Sequence, residues 1–364
     1  MKTFLSILIF LHGAIHVLGF LKAFQFAKVA QLNIPISKPL GILWLLAFVL
    51  FLTAGVMYLL NSPQWSFVAI LSVAISTILI IFSWSDARFG MIPNIIILIA
   101  CIFAIASCSY KSVYLKDIKQ AADNSSIERS TLTESDISHL PVPVQNYIKL
   151  SGSIGKPKVS SFKVEFEGQI RKNEQSEWMT FTCEQHNFMA NPTRLFFMDA
   201  RMKGLPVAGY HHFKNGKAVM DIRLLSLIKV QYAEGNEMDI SETVTFFNDM
   251  CCVAPATLID NRIKWLETKG DSVKCSFTNK NITINATLVF NEKAELVNFI
   301  SSDRYAFGEN GNMTRVPWQT PIKAYKSING YYLTSFAQLI YNYPEGDLCY
   351  GEFDLKGIQY NAKP

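Results

Sequence analysis

Four apolar stretches fill most of the first 110 residues of this chain, at residues 4–21, 40–60, 67–82 and 91–106. A bilayer core takes about 20 predominantly apolar residues per helix, and each stretch comes close enough to qualify. Up to Ser107 the formal charges are Lys2, Lys22, Lys28, Lys38, Asp86 and Arg88. The stretches are separated by a loop carrying Gln31, Asn33 and Ser37, by Asn61-Ser-Pro-Gln-Trp65, and by Ser83-Trp-Ser-Asp-Ala-Arg88. Such short connections force neighbouring helices to run antiparallel. Trp65, Trp84 and Phe89 fall where interfacial aromatics are expected. Residues 1–110 therefore read as a four-helix transmembrane unit in contact with a lipid bilayer.

The first stretch has an alternative as a secretory signal, because Lys2 precedes an apolar core. His12 and His16 interrupt that core, and no small-x-small cleavage pattern follows before Lys28, which favours a retained helix. Lys22, Lys28, Lys38 and Arg88 lie in the first and third loops, and the second loop carries no charge. The positive-inside rule makes those loops cytoplasmic, although Lys111, Lys116 and Lys119 behind the last stretch pull the other way. The expected location is the inner (cytoplasmic) membrane, with the following domain on the outer, periplasmic or extracellular, side. His12 and His16 are four apart and share a helix face. Polar groups at membrane depth are costly and often functional, so His12, His16, Asp86 and Arg88 are the intramembrane candidates. The plainer reading has the histidines hydrogen-bonded to neighbouring helices or to Asp86. Two ligands alone do not make a metal site, and the next histidine is His139.

From Lys111 the chain changes character. The overall 50% hydrophobic and 17% charged content averages two unlike halves. The net charge of +5 is dispersed, with no run of basic residues, which argues against a nucleic-acid partner. Residues 111–139 are mostly polar and read as a tether, with a capping box at Thr133 to Asp136. Leu140-Pro-Val-Pro143 breaks any helix there, and residues 144–150 form a turn or two before Ser151-Gly-Ser-Ile-Gly155. The cysteines beyond the apolar stretches, Cys183, Cys251, Cys252, Cys275 and Cys349, show no CxxC spacing and assign no disulfide. Cys183 and His186, three apart on a strand, point to opposite faces, so no structural zinc is expected.

Beyond Lys158 the period becomes two: Phe162, Val164 and Phe166 alternate with Lys163, Glu165 and Glu167. Similar or continuous apolar runs occur at residues 178–189, 194–202, 207–213, 218–230, 273–277, 282–290, 296–300, 322–327, 331–339 and 350–358. Asn215-Gly216 and Asn329-Gly330 are strong hairpin signals between them. One helix interrupts the strands, capped by Ser241, starting at Glu242 and running to about Val253, with Pro255 ending it. The expected fold is a helical transmembrane bundle followed by an α+β domain over residues 140–364. That domain is a large antiparallel curled sheet, a half-barrel with one covering helix; a two-layer sandwich is the alternative.

No GxSxG, HExxH, P-loop or GxGxxG motif is present. His211 and His212 are adjacent on a strand and point to opposite faces, poorly placed to share a metal. Asp199, Asp221, Glu237, Asp239 and Asp303 show no spacing that pairs them. No catalytic residue, metal or cofactor is assigned.

Leu140-Pro-Val-Pro-Val-Gln-Asn-Tyr147 with Ser151-Gly152, Asp303-Arg304-Tyr305, Pro317-Trp-Gln-Thr-Pro321 and Tyr343-Pro-Glu-Gly-Asp347 together resemble an uncharacterised domain-of-unknown-function family of bacterial membrane proteins. His12-Gly13 to His16, Gly19-Phe20, Lys38-Pro-Leu-Gly41 and Trp84-Ser-Asp-Ala87 look like the hydrophobic bundle of its longer members. The resemblance spans nearly the whole chain and brings no activity with it. More loosely, the strand order and single helix are similar to lipoprotein-carrier half-barrels that shelter acyl chains, an analogy of architecture. A curled sheet in a chain that is 13% aromatic leaves room for a lipid or other apolar small molecule. The ligand-binding candidates are Asp303, Arg304, Tyr305, Trp318, Phe246 and Phe247. The alternatives are a non-enzymatic interaction or assembly module with an envelope protein partner, and an envelope enzyme acting on lipid or glycan.

Overall fold

The apolar stretches form helices α1 (Lys2–Ala23), α2 (Lys38–Leu59) and α3 (Trp65–Phe82), a short turn α4 (Trp84–Ala87), and α5 (Met91–Asp123). α1, α2, α3 and the 84–123 segment are each long and apolar enough to cross a membrane. The computed structural model describes residues 2–125, 130–308 and 311–362. Its contacts fall into two units, Met1–Tyr110 and Lys111–Pro364. In the first, small residues let α1 and α2 approach closely: a Cβ at Gly19 would sit 2.2 Å from the Trp44 ring. Without a hydrophobic drive between helices in lipid, such close backbone packing is what holds them.

In the second unit, the segment read as a tether is helical over residues 111–123, where α5 continues and buries Tyr114 and Ile118. Those two lie four apart on one face, while Val113 and Leu115 beside them stay exposed, too short an apolar signal to register. Residues 126–129 of that segment lie outside the described residues. Thr133 caps α6 (Glu134–Ile137) with the capping box in place. α7 (Val142–Leu150) begins inside the Leu140-Pro-Val-Pro143 run. Pro143 sits in the first turn, where its missing N–H is no loss.

The strands are β1 (Ser161–Ile170), β2 (Met179–Phe188), β3 (Thr193–Met202), β4 (Leu205–Lys214), β5 (Lys217–Leu224), β6 (Ile228–Glu234), β7 (Ile263–Lys269) and β8 (Ser272–Asn279). They continue as β9 (Ile282–Phe290), β10 (Leu296–Ser301), β11 (Tyr305–Phe307), β12 (Met313–Arg315), β13 (Trp318–Ile328), β14 (Tyr331–Tyr343) and β15 (Gly346–Tyr360). Thirteen of these form one sheet, in the order β6-β5-β4-β3-β2-β1-β15-β14-β13-β10-β9-β8-β7, with β11 and β12 as a separate pair. The sheet's pairings are antiparallel, as the hairpin signals require; Asn215-Gly216 and Asn329-Gly330 have positive φ at both positions, the geometry of a tight two-residue turn. A single sheet replaces the sandwich alternative. Residues 218–230, read as one strand, are two, because Leu225 and Ser226 turn the chain with positive φ.

α8 (Asn236–Val253) leaves edge strand β6 and, through a 3-10 turn at Pro255–Ile259, feeds the opposite edge strand β7. The helix must therefore cross between the two edges of the sheet. It begins at Asn236, about a turn and a half before the expected Glu242. Ser241 is not its cap: its hydroxyl accepts from the Tyr305 N–H at 3.0 Å. Inside, Phe247 stacks on Phe277 with ring centroids 5.2 Å apart and meets Phe299 edge-on at 5.7 Å. This aromatic file, with Phe246, Val273 and Phe213 of β4, forms the closed core beneath α8.

Candidate functional site

Alternation along β2, β3 and β4 decides what faces α8. Gln185 and Asn187 of β2, Arg194, Phe196 and Met198 of β3, and Gly209 and His211 of β4 share the inner face. Glu184, His186, Phe197 and Tyr210 fall on the outer face, where Tyr114 of α5 packs on Phe197 at 5.3 Å and bonds His186 Nδ1 at 3.0 Å. Between the inner face and α8 lies a cavity of about 1850 Å³. Its apolar walls include Phe166, Met179, Phe196, Met198, Ile222 and Phe353, and its aromatic floor includes Trp318, Tyr341 and Tyr350. Ligand pockets commonly hold about 300–1,000 Å³, so this volume is ample for an extended molecule.

One part of the cavity is polar and charged. α8 presents Ser241, Glu242, Thr245, Asn248, Asp249 and Cys252 to it, spaced as one helical stripe. Arg194 Nε donates to Asp249 Oδ2 at 2.8 Å and Nη1 reaches Glu242 Oε2 at 3.3 Å. Gln185 and Asn187 donate to the same Asp249 oxygen, at 2.8 and 3.2 Å. Three N–H donors converging on one oxygen is the arrangement of a carboxylate. Burial raises the Asp249 carboxyl from its ordinary value, opposed by Arg194. Burial also raises that of Glu242, but His211, Arg194 and Arg304 outweigh it and hold the group below its usual range. His211 is pushed down to about 4 by burial, so its imidazole is neutral at pH 7. His211 Nε2 lies 3.3 Å from Glu242 Oε1, yet among the described residues neither buried atom has a hydrogen-bond partner.

Arg304 completes the cluster. Its guanidinium lies 4.6 Å over the Trp318 ring, a cation–π arrangement. It donates to the Ser241 carbonyl at 3.3 Å, to Tyr341 Oη at 3.2 Å and to Thr245 Oγ1. Trp318 Nε1 donates to Tyr350 Oη at 3.1 Å. Two guanidinium groups thus face two carboxylates within one pocket wall.

The sequence candidates separate accordingly. Arg304, Tyr305 and Trp318 line the cavity. Asp303 does not: it accepts from the Asn285 N–H at 2.6 Å and from Arg315, securing the β9–β10 corner. Phe246 and Phe247, placed on the ligand side from sequence, belong to the closed core and are fully buried, because α8 turns its polar stripe to the cavity and these two away from it. His211 and His212 do face opposite ways, His211 inward and His212 against Tyr210 at 5.0 Å. Arg194, Gln185, Glu242 and Asp249 were not singled out from sequence. The available signal was the polar spacing of 241, 242, 245, 248, 249 and 252 on one helix.

In the helical unit, His12 Nε2 donates to Asn94 Oδ1 at 2.7 Å, and Asn94 Nδ2 donates to Ser76 Oγ at 3.0 Å. Ser76 Oγ in turn meets His16 Nε2 at 2.9 Å, and His16 Nδ1 donates to the His12 carbonyl at 2.8 Å. Asp86 is apart from them, accepting from the backbone N–H groups of Asn33 and Ile34, and Arg88 is exposed over Phe89 at 5.1 Å. Among the described residues no cluster of three or more metal-ligating side chains occurs. The seven cysteines are free thiols.

Four helices long and apolar enough to cross a membrane, followed by a curled antiparallel sheet beside a cavity with a charged wall, define a class of proteins that joins an apolar helical unit to a β half-barrel. The chain belongs to the DUF6544 family, a family of unknown function, which it matches over residues 130–353. No curated protein matches it. Among solved structures it is similar to a LolA superfamily protein from Nitrosomonas europaea (10% identity, TM-score 0.36, covering 62% of this chain and 96% of that one). It is also similar to a DUF1329 family protein from Desulfovibrio piger (10%, 0.36, covering 65% and 95%). An outer membrane lipoprotein-sorting protein domain from Vibrio parahaemolyticus matches at 10% identity and a TM-score of 0.35, covering 56% and 87%. At these scores the likenesses carry no inference about function.

Proposed function

We propose that this chain is a membrane-anchored protein of the cell envelope whose half-barrel binds or passes on a lipid or other apolar ligand. The observation that carries this is the cavity itself: about 1850 Å³, walled by phenylalanine and methionine from β1, β2, β3 and β15. Burying each methylene of an acyl chain against such walls is worth about 0.8 kcal/mol, so a long chain gains substantially. The charges of the first and third loops favour the inner membrane with the half-barrel on its outer face. Arg304, Tyr305 and Trp318 are the ligand-contacting candidates that this reading retains. Native mass spectrometry of the full-length chain, exchanged into amphipol without added lipid, tests it. Co-purified masses of lipid size that survive exchange are expected. A bare protein mass, together with no uptake of a fluorescent fatty-acyl probe, would end the proposal.

A second reading, an assembly module, draws on edge strand β6. Its Ile228, Val230 and Tyr232 are 59%, 47% and 46% exposed, and among the described residues one side of the strand has no neighbour in the sheet. Such an edge is open to pairing with another chain's strand. An Ile228→Lys substitution, at a position outside the cavity lining, that abolished a stable complex while leaving lipid uptake intact would favour it.

A further inference from the structure

The charged wall of the cavity is unfinished in a particular way. Glu242 is 1% exposed, and its Oε2 is held by Arg194, but among the described residues its Oε1 has no hydrogen-bond partner. His211 Nε2, beside it, is equally without one. Arg304 is tied through Nη1 to residues 241 and 245, the positions that flank Glu242 on the same helical turn. Among the described residues its Nη2 has no hydrogen-bond partner and no carboxylate lies within ion-pair distance of it. Buried polar atoms are nearly always satisfied. Here a carboxylate oxygen of Glu242 and an imidazole nitrogen of His211 that can serve as donor or acceptor are buried without a partner on residues lining the cavity, and Arg304 lines the same cavity with a guanidinium N–H to spare.

The charge balance narrows what completes them. Arg194 and Arg304 are matched by Glu242 and Asp249. An added anion would meet the Glu242 carboxylate, and an added cation would meet Arg304. An uncharged group with both a donor and an acceptor opposes neither. Its O–H or N–H donates to Glu242 Oε1, and its oxygen accepts from Arg304 Nη2. We infer that the cavity takes an amphiphile with an uncharged hydroxyl- or amide-bearing head, such as a glycerol ester or fatty amide, seated at Glu242, His211 and Arg304 with its chain along Phe196 and Met198. This rests on the reading of the cavity as a lipid site.

Photolabelling of the full-length chain in amphipol separates the two claims. The probes carry one diazirine-bearing acyl chain as a 1-monoacylglycerol, a primary amide, a methyl ester and a free fatty acid, with labelled peptides mapped by mass spectrometry. The expected result is labelling of the β3 and α8 peptides, half-maximal at about tenfold lower concentration for the monoacylglycerol and amide than for the fatty acid or ester. A tenfold preference corresponds to about 1.4 kcal/mol. Glu242→Gln, which removes the opposing charge, is expected to bring the fatty acid level with the monoacylglycerol. Arg304→Met is expected to erase the preference for the neutral heads. Equal labelling of the cavity by all four probes, or a preference for the fatty acid, would overturn the head-group inference and leave the lipid cavity standing. It would mean that Glu242 and His211 serve only each other. No labelling of cavity peptides by any probe would overturn both. The wild-type panel decides between these outcomes even where a variant fails to fold.

Discussion

The chain buries polar side chains in two places and treats them in opposite ways. In the helical unit, His12, Asn94, Ser76 and His16 form a closed ring, with each link 2.7–3.0 Å long. All four are uncharged when paired in this sense. In the half-barrel, Arg194, Glu242, Asp249, His211 and Arg304 form an open cluster that is charged and has atoms left over. The closed ring uses its hydrogen bonds to tie α1, α3 and α5 together. An open charged cluster at a cavity wall holds its own side chains in place and still presents groups to an occupant. Satisfaction, rather than mere presence of buried polarity, is what assigns the half-barrel cluster, and not the helix ring, to the proposed ligand site.

The comparison breaks most visibly at Arg194. Arg194→Leu removes the guanidinium that is in ion-pair contact with both Glu242 and Asp249. Removing one partner of a buried pair costs about 3–5 kcal/mol. Chemical denaturation of the full chain, followed by hydrogen exchange in β3 and α8, is expected to show a loss of that size confined to the half-barrel. A loss under 1 kcal/mol would mean that the cluster is hydrated and open to solvent.

Asn94→Leu is the matching test in the helices. It strips His12 of its acceptor and Ser76 of a donor at once. An orphaned buried group costs about 1–3 kcal/mol, read as a lower melting point of the helical unit with half-barrel exchange unchanged. Asn94→Gln, which keeps the chemistry but not the reach, is expected to recover only part of this.

How much of this contrast was legible in the sequence follows from the range of each interaction. The hairpins at Asn215-Gly216 and Asn329-Gly330 were readable because a two-residue turn imposes positive φ locally. The shared face of His12 and His16 followed from helical spacing. Their partners did not, because Asn94 and Ser76 are 82 and 60 residues away along the chain. The edge-to-edge passage of α8 was hidden for the same reason, since pairing of β1 with β15 joins distant segments. Arg304 and Trp318 surfaced through their motifs, whereas Arg194 sits at the head of an apolar strand and resembles ordinary punctuation. On the helix, two phenylalanines drew attention in the sequence, whereas the polar stripe is the part that lines the cavity.

A smaller effect sharpens the comparison through pH. Burial depresses His211, His212 and His186 to about 4 from an ordinary value of 6.5. The unfolded chain takes up protons below 6.5 that the folded one refuses until about 4. Half-barrel stability is therefore full above pH 6.5 and falls as pH drops through that window. Each such histidine contributes a slope of about 1.4 kcal/mol per pH unit. His211→Leu is expected to reduce the slope by that amount between pH 6 and 5 and to leave stability at pH 7 nearly unchanged. An unaltered slope would place His211 in contact with water rather than in the cavity wall.

The most direct measurement is an experimental density map of the full-length chain purified without added ligand. The account expects elongated density along Phe196 and Met198 that ends within hydrogen-bond distance of Glu242 Oε1 and Arg304 Nη2. A cavity closed by repacked side chains, or filled by ordered water alone with Glu242 and His211 bonded to each other, would contradict it.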